Sequence, residues 1–331
     1  MMNVIFSIFV VVVLVLVAFF GVWGLKLYTL FAVIIPYLAI IAFLAGFIYR
    51  VVKWGRSPVP FHIPTVSGQQ KSLPWIKANK LESPPDTAGV VGRMALEILL
   101  FRSLFRNDKT EIKRSEKLIH GGDRWLWLGG LVFHWSLLGI LFRHSRFFME
   151  PVPSIVQLAQ NIDGMFQIIL PTLFITDLLI LLGLVYLFVR RVIVPKWRYL
   201  SLPSDYFALV LIGSVVLSGL FMRVFFHADL IGVKELAIGV ITLPPSVPAN
   251  IGLTFYIHLF LVCSLLAYFP FSKLMHSAGV FLSPTRNLAN NSRMRRHVNP
   301  WNYPVKLHTY EEYEKEFREK MKKVGLPVEK E

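Results

Sequence analysis

Long apolar runs alternate with polar, mostly basic segments along this chain of 331 residues. Six of the runs have about the 20 residues that a helix needs to cross ~30 Å of hydrocarbon. The first run lacks a basic n-region and is too long for a signal peptide, so we interpret it as a helix of the protein itself. The pattern predicts an all-α integral membrane protein with six transmembrane helices, over about residues 4–23, 28–49, 125–146, 166–189, 206–226 and 252–272.

The polar segments divide the chain into four parts. We expect spans 1 and 2 in residues 1–50, a cytoplasmic basic loop in 51–124, a four-helix part in 125–285 and a cytoplasmic tail in 286–331. Within the loop, residues 90–107 predict an interfacial helix that either docks a cytoplasmic partner or lies on anionic lipid. The mixed-charge segment 311–323 predicts an amphipathic helix in the tail that is exposed to solvent or bound to a partner.

Charge fixes the expected orientation. The formal net charge is +15, yet only 17% of residues are charged and 55% are hydrophobic, which exceeds the apolar share of most soluble domains. Thirteen Lys and Arg lie in residues 51–124, four in 190–206 and twelve after residue 271, whereas the opposite loops hold few. The positive-inside rule therefore predicts both termini in the cytoplasm and a multi-pass protein of the cytoplasmic membrane, without a nucleic-acid partner.

Four histidines lie in or just beyond two of the predicted spans. His134 and His144 are ten residues apart in span 3, and His258 and His276 are eighteen apart at span 6. Because these spans run antiparallel, depth in the membrane pairs His144 with His258 (outer) and His134 with His276 (inner). Two facing imidazoles saturate a haem iron, which favours electron transfer over oxygen binding. The pattern predicts two haems b, each held by one pair.

Two points stand against a simple haem assignment. The axial rise is about 15 Å between the first two histidines and about 27 Å between the other two, a mismatch that a bend at Pro270 can reduce. Histidines also serve as polar contacts between helices or line a path for protons or metal ions. A lone histidine would favour those alternatives, whereas four paired by depth favour haem. The one cysteine, Cys263, excludes an iron–sulfur cluster bound by this chain alone.

Three segments carry a family resemblance: FHWSLLGILFRH (133–144), residues 184–220, and YIHLFLVCSLLAYFPFSKLMHS (256–277). They resemble the respiratory nitrate reductase gamma subunits, a family of dihaem cytochromes b, over about residues 28–285. The extra first helix, the basic loop and the long tail resemble the M subunits of the Dsr (dissimilatory sulfite reduction-associated) complex, whose relatives include the cytochrome b subunit of heterodisulfide reductase.

The resemblance implies that helices 2–6 form a haem-binding bundle exchanging electrons with menaquinol or menaquinone near the outer haem. It also implies a cytoplasmic iron–sulfur partner, a K-type subunit like heterodisulfide reductase, with J, O and P subunits of the Dsr complex and a role in sulfate or sulfite respiration. A gamma subunit of a nitrate reductase or a heterodisulfide reductase is the alternative in the same class. A histidine-lined transporter and a haem-free membrane anchor are the alternatives from other classes.

The chain departs from the family at the expected quinone pocket. Nitrate reductase members have glycine before the outer-haem histidine and lysine soon after that helix, but here Arg143 precedes His144 and no Lys or Arg occurs from 147 to 189. We therefore expect a quinone site formed by Arg143, His144, Asp163 and Gln167. A carboxylate inside a span is costly unless it is paired or protonated. Asp177 is thus expected to relay protons, to bond a haem-ligand imidazole, or to bond a Thr or Ser nearby.

Overall fold

The computed structural model describes residues 2–58, 68–106, 108–112, 118–164, 173–294 and 307–329. These residues are almost all helical, apart from one antiparallel hairpin that pairs Asp108–Ile112 with Leu118–Gly122. The helices in chain order are α1 Met2–Phe19, α2 Ile35–Gly55, α3 Thr87–Leu100, α4 Arg102–Phe105, α5 Arg124–His144, α6 Ser154–Asp163, α7 Ile175–Ile193, α8 Pro195–Leu200, α9 Pro203–Phe221, α10 Leu230–Thr242, α11 Leu253–Tyr268, α12 His276–Gly279, α13 Pro284–Asn287 and α14 Tyr310–Lys323. Short π-helical turns (Phe20–Gly24, Leu30–Ile34, Met222–Phe226) and 3₁₀ turns (Ser145–Phe148, Phe269–Phe271, Lys273–Met275) adjoin these helices.

Five continuous helical stretches are long and apolar enough to cross a membrane, and they confirm predicted spans 1, 2, 3, 5 and 6. In each, at most 28% of the most apolar stretch is buried within the protein. Apolar helices with such exposed flanks require a non-aqueous surrounding. The five stretches are Met2–Gly24, Leu30–Gly55, Arg124–Phe148, Pro203–Phe226 and Leu253–Phe271.

The fourth predicted span corresponds to α7, which begins at Ile175, nine residues after its expected start. Residues 165–172, where the prediction placed its first turns, lie outside the described part. The helix carries Asp177, Arg190 and Arg191, and it is not among the five apolar stretches.

The spanning helices pack side by side. α5 packs on α7, α7 on α9, α9 on both α1 and α11, and α11 on α2. At the α5–α7 contact a Cβ on Gly183 would lie 3.1–3.2 Å from the backbone and Cβ of Phe133. Only glycine permits this close approach, which holds α5, the carrier of His134 and His144, firmly against α7.

The basic loop forms two helices where one was predicted. Asp86 caps α3 by accepting a hydrogen bond from the Gly89 amide at 2.8 Å, and the helix ends at Phe101, which has the left-handed φ of 49° before α4 starts. The indole N–H groups of Trp127 and Trp135 donate to the last carbonyls of α3. Because both tryptophans belong to α5, the loop helix is fixed to the helix that carries His134.

The described part of the chain also holds the predicted tail helix and several elements that were not predicted. α14 confirms the helix expected in the tail, and its N-terminus has a capping box between Thr309 and Glu312. The hairpin, α6 and α10 were not predicted from the hydrophobic pattern.

Candidate functional site

The imidazoles of His134 and His276 face each other. Their ring centroids lie 5.9 Å apart and their planes are nearly perpendicular, at 87°. Nδ1 of His134 lies 2.7 Å from the Gly130 carbonyl oxygen, and Nδ1 of His276 lies 2.8 Å from the Lys273 carbonyl oxygen. A carbonyl oxygen only accepts, so both Nδ1 atoms carry the proton and donate.

In the other pair, His144 and His258, each ring Nδ1 likewise has a neighbour that fixes it. Nδ1 of His144 donates to the Ile140 carbonyl at 2.8 Å, and Nδ1 of His258 lies 2.9 Å from the Ser218 hydroxyl oxygen. Ser218 donates its own proton to the Val215 carbonyl at 2.9 Å, so its oxygen is the acceptor towards His258. The two imidazoles are near enough to interact electrostatically.

All four histidines are therefore in the tautomer that leaves Nε2 unprotonated. A metal-binding histidine normally donates its other ring N–H to an acceptor, which fixes the ring and the tautomer. A metal–imidazole bond is about 2.0–2.1 Å, as measured at zinc sites, so one ion between two opposed Nε2 atoms puts the ring centroids roughly 6.4 Å apart. The 5.9 Å between His134 and His276 is close to this requirement and slightly shorter.

A break in the last spanning segment brings His276 to this position. α11 ends at Tyr268, a 3₁₀ turn with buried Pro270 follows, and His276 begins the separate short helix α12. Because the helix is interrupted, the 27 Å rise of a straight helix does not apply, and His276 can meet His134.

The glycines of α5 serve helix packing. A Cβ on Gly129 would collide with the Tyr186 ring, and one on Gly139 would lie 3.0 Å from Thr176, both on α7.

No group of three or more His, Cys, Asp and Glu side chains suited to a bare metal ion occurs in the described ranges.

An ionic cluster lies at the end of α5 beside His144. Nη2 of Arg143 donates to Asp177 Oδ1 at 2.7 Å, and Nε lies 2.7 Å from Asp163 Oδ2 as an ion pair, without hydrogen-bond geometry. Asp163 accepts from both the amide and the hydroxyl of Thr176, at the N-terminus of α7, where a carboxylate complements the helix dipole. Only 7% of the Arg143 side chain is exposed.

A second arginine completes this group, which we call the Arg143 cluster (Arg143, Asp163, Asp177 and Arg223). Nη1 of Arg223 lies 3.3 Å from Asp177 Oδ2. The guanidinium carbons of Arg143 and Arg223 lie 3.8 and 4.3 Å from the centre of the Phe174 ring. Two cations and two carboxylates balance, which offsets the cost of burying each charge. The charges of Arg143, Arg223 and Asp177 act on the His144 imidazole.

The expected quinone residues Arg143, His144 and Asp163 are thus neighbours, and Gln167 lies outside the described part. Asp177 pairs with the two arginines, and each histidine Nδ1 has another partner. Sequence reasoning missed Ser218, which fixes the His258 ring, and Phe101, whose ring meets His134 edge to face at 5.0 Å. Neither residue carries a local signal, since both contacts join distant parts of the chain.

Comparison with known proteins supports the family resemblance. Residues 90–297 match the family model of the nitrate reductase gamma subunit. A protein of Archaeoglobus fulgidus described as an Hdr-like menaquinol oxidoreductase cytochrome b-like subunit is 47% identical over 280 residues, covering 82% of this chain and 83% of that protein. A protein of Archaeoglobus profundus with the same description is 43% identical over 274 residues, covering 81% of each chain.

Proposed function

Because the chain belongs to the nitrate reductase gamma subunit family, we propose that it is the membrane cytochrome b subunit of a menaquinol oxidoreductase complex. Its two relatives carry that description and align with most of its length. In this proposal the chain exchanges electrons between menaquinol or menaquinone on the outer side and an iron–sulfur subunit in the cytoplasm.

We propose six spans, with α7 as the fourth. α7 packs between α5 and α9, both of which are long enough to cross the bilayer. Asp177 is compensated by two arginines, and Arg190 and Arg191 stand in its last turn, where long cationic side chains reach the interface. Six spans and the distribution of Lys and Arg support cytoplasmic termini and the four-part division made above.

Four histidines would hold two haems b, His134 with His276 and His144 with His258. The observation that supports this proposal is that every one of the four donates Nδ1–H to an acceptor, which leaves four Nε2 lone pairs for iron, and that the rings of His134 and His276 face each other. Bound between these pairs, haem supplies a one-electron carrier on each side of the membrane.

Quinol oxidation is proposed at the Arg143 cluster, next to His144. Arg143 is buried and held by two carboxylates, so its position does not depend on the substrate. We infer that Arg143, His144, Asp163 and Gln167 surround the quinone head group and that Asp177 positions Arg143 or relays protons.

Electrons would leave near His134. Phe101, between α3 and α4, packs on this histidine from the side of the basic loop, and the loop offers the cations that a docking partner needs. We propose a K-type, heterodisulfide reductase-like iron–sulfur subunit, with J, O and P subunits of a Dsr complex and a role in dissimilatory sulfur metabolism. The Hdr-like description of both relatives also suits a heterodisulfide reductase gamma subunit.

Haem counting on purified protein tests the proposal. We expect two haems b per chain and a low-spin α band in the reduced-minus-oxidised spectrum. His144→Ala and His276→Ala should each remove one haem, and His308→Ala, in the exposed tail, should keep both. Full haem content in both His144→Ala and His276→Ala would refute the ligand assignment. Haem-free protein would favour the membrane anchor or the transporter.

A further inference from the structure

α6 has three distinct faces. At 100° per residue, its sequence separates into one side that packs on the protein, one polar exposed side and one apolar exposed side. The protein side includes Val156 and Asp163, exposed by 2% and 9%. The polar exposed residues are Ser154, Gln157 and Asn161. The apolar exposed residues are Ile155, Leu158 and Ile162, exposed by 66%, 58% and 58%.

The protein side of α6 is fixed to the Arg143 cluster. Asp163, its last residue, pairs with Arg143 and accepts from Thr176. Gln160, one turn earlier, accepts a hydrogen bond from Arg146 at 2.7 Å. α6 therefore lies across the ends of α5 and α7 and cannot turn its apolar side inward without breaking these contacts.

The spanning helices also expose apolar side chains at the end where α6 lies. Leu141 on α5 is 60% exposed and Leu178 on α7 is 37% exposed, and both lie near the same end of their helices as the cluster. A helix with one polar and one apolar face beside such a surface lies in the plane of the membrane interface, with its apolar side among the acyl chains.

We propose that α6 lies in the lipid–water interface at the outer face of the cytoplasmic membrane, with Ile155, Leu158 and Ile162 in lipid. In this position α6 forms the rim over which lipophilic quinol passes from the bilayer to Arg143. That α6 lies in a membrane interface stands on the geometry alone, whereas the outer side and the quinol path rest on the proposed function. An aqueous entry is unsuited to a substrate dissolved in the acyl chains.

Site-directed spin labelling tests the position of α6. Cys263 is the one cysteine and is buried, so Leu158→Cys or Gln157→Cys adds a single reactive thiol to the full chain in liposomes. A label at position 158 should meet lipid-dissolved oxygen more than an aqueous nickel chelate, and a label at the adjacent position 157 should meet the chelate. Equal chelate access at both positions would overturn the proposal, as would a label at 158 shielded from both reagents.

Kinetics tests the quinol path separately. With an artificial one-electron acceptor in excess, Leu158→Lys should raise the KM for a menaquinol analogue severalfold with kcat and haem content unchanged, while Gln157→Lys should leave all three unchanged. An unchanged KM in Leu158→Lys overturns the path. A chain that binds haem but oxidises no quinol would overturn the proposed function. The spin-label experiment would still decide where α6 lies.

Discussion

Replacement of Ser218 by alanine removes the oxygen that accepts Nδ1–H of His258 at 2.9 Å. Loss of such an outer contact typically weakens metal binding by about 10–100-fold. The Val215 carbonyl also lies within reach of the His258 imidazole and would keep part of the interaction, so we expect the low end, about tenfold. In the proposed arrangement only the outer haem depends on this contact, because His134 and His276 donate to backbone carbonyls.

The transfer of haem from Ser218→Ala to an excess of apomyoglobin measures this effect. We expect one of the two haems to leave about tenfold faster and the other at the wild-type rate, with a shift in one midpoint potential in a redox titration. Ser136→Ala is the matched control, because Ser136 is buried and its hydroxyl donates to a carbonyl four residues earlier, that of Val132. Unchanged haem loss in Ser218→Ala, or the same acceleration in Ser136→Ala, would refute the reasoning.

Two further predictions concern the groups beside the histidines. Arg143→Met leaves buried carboxylates without their main cation, which typically costs about 3–5 kcal/mol of folding stability. We expect this variant to have a lower melting temperature and to lose quinol oxidation while it keeps both haems. Arg143→Lys should recover part of the stability. A variant Arg143→Met as stable and active as wild type would contradict the role of the cluster. Phe101→Leu removes the ring that meets His134 edge to face at 5.0 Å; potentiometry should show a shift of the inner-haem potential alone, and an equal shift of both haems would count against this contact.

The hydrophobic pattern predicted most of the helices because membrane spans are determined locally, by length and polarity. The predicted fourth span starts nine residues before α7, since residues 165–174 belong to the same apolar run and hydropathy does not reveal where a helix begins. The division of the loop helix at Phe101 and the existence of α6 depend on tertiary contacts, with His134 for the first and with the Arg143 cluster for the second. Sequence alone does not supply such contacts.

Depth in the membrane suggested that His134 pairs with His276, and their rings do meet, although the axial rise argued against a simple arrangement. The interruption at Pro270 explains why His276 reaches His134 in spite of the mismatch in rise, because the chain leaves the helix before His276. The acceptors of the histidine Nδ1 atoms also differ in how far they can be predicted from sequence. Gly130 and Ile140 lie one turn before their histidines, as any helix would allow, whereas Ser218 is forty residues from His258 and belongs to another helix.

Electron paramagnetic resonance of the oxidised protein tests the central claim, that two facing histidine pairs hold haem iron. The 87° between the rings of His134 and His276 predicts a strongly anisotropic low-spin ferric signal for the inner haem, because perpendicular axial imidazoles leave the iron d orbitals nearly degenerate. This signal should accompany two haems b per chain and should disappear in His276→Ala while the outer-haem signal remains. Protein with no low-spin ferric signal, or with one that persists in His276→Ala, would contradict the account.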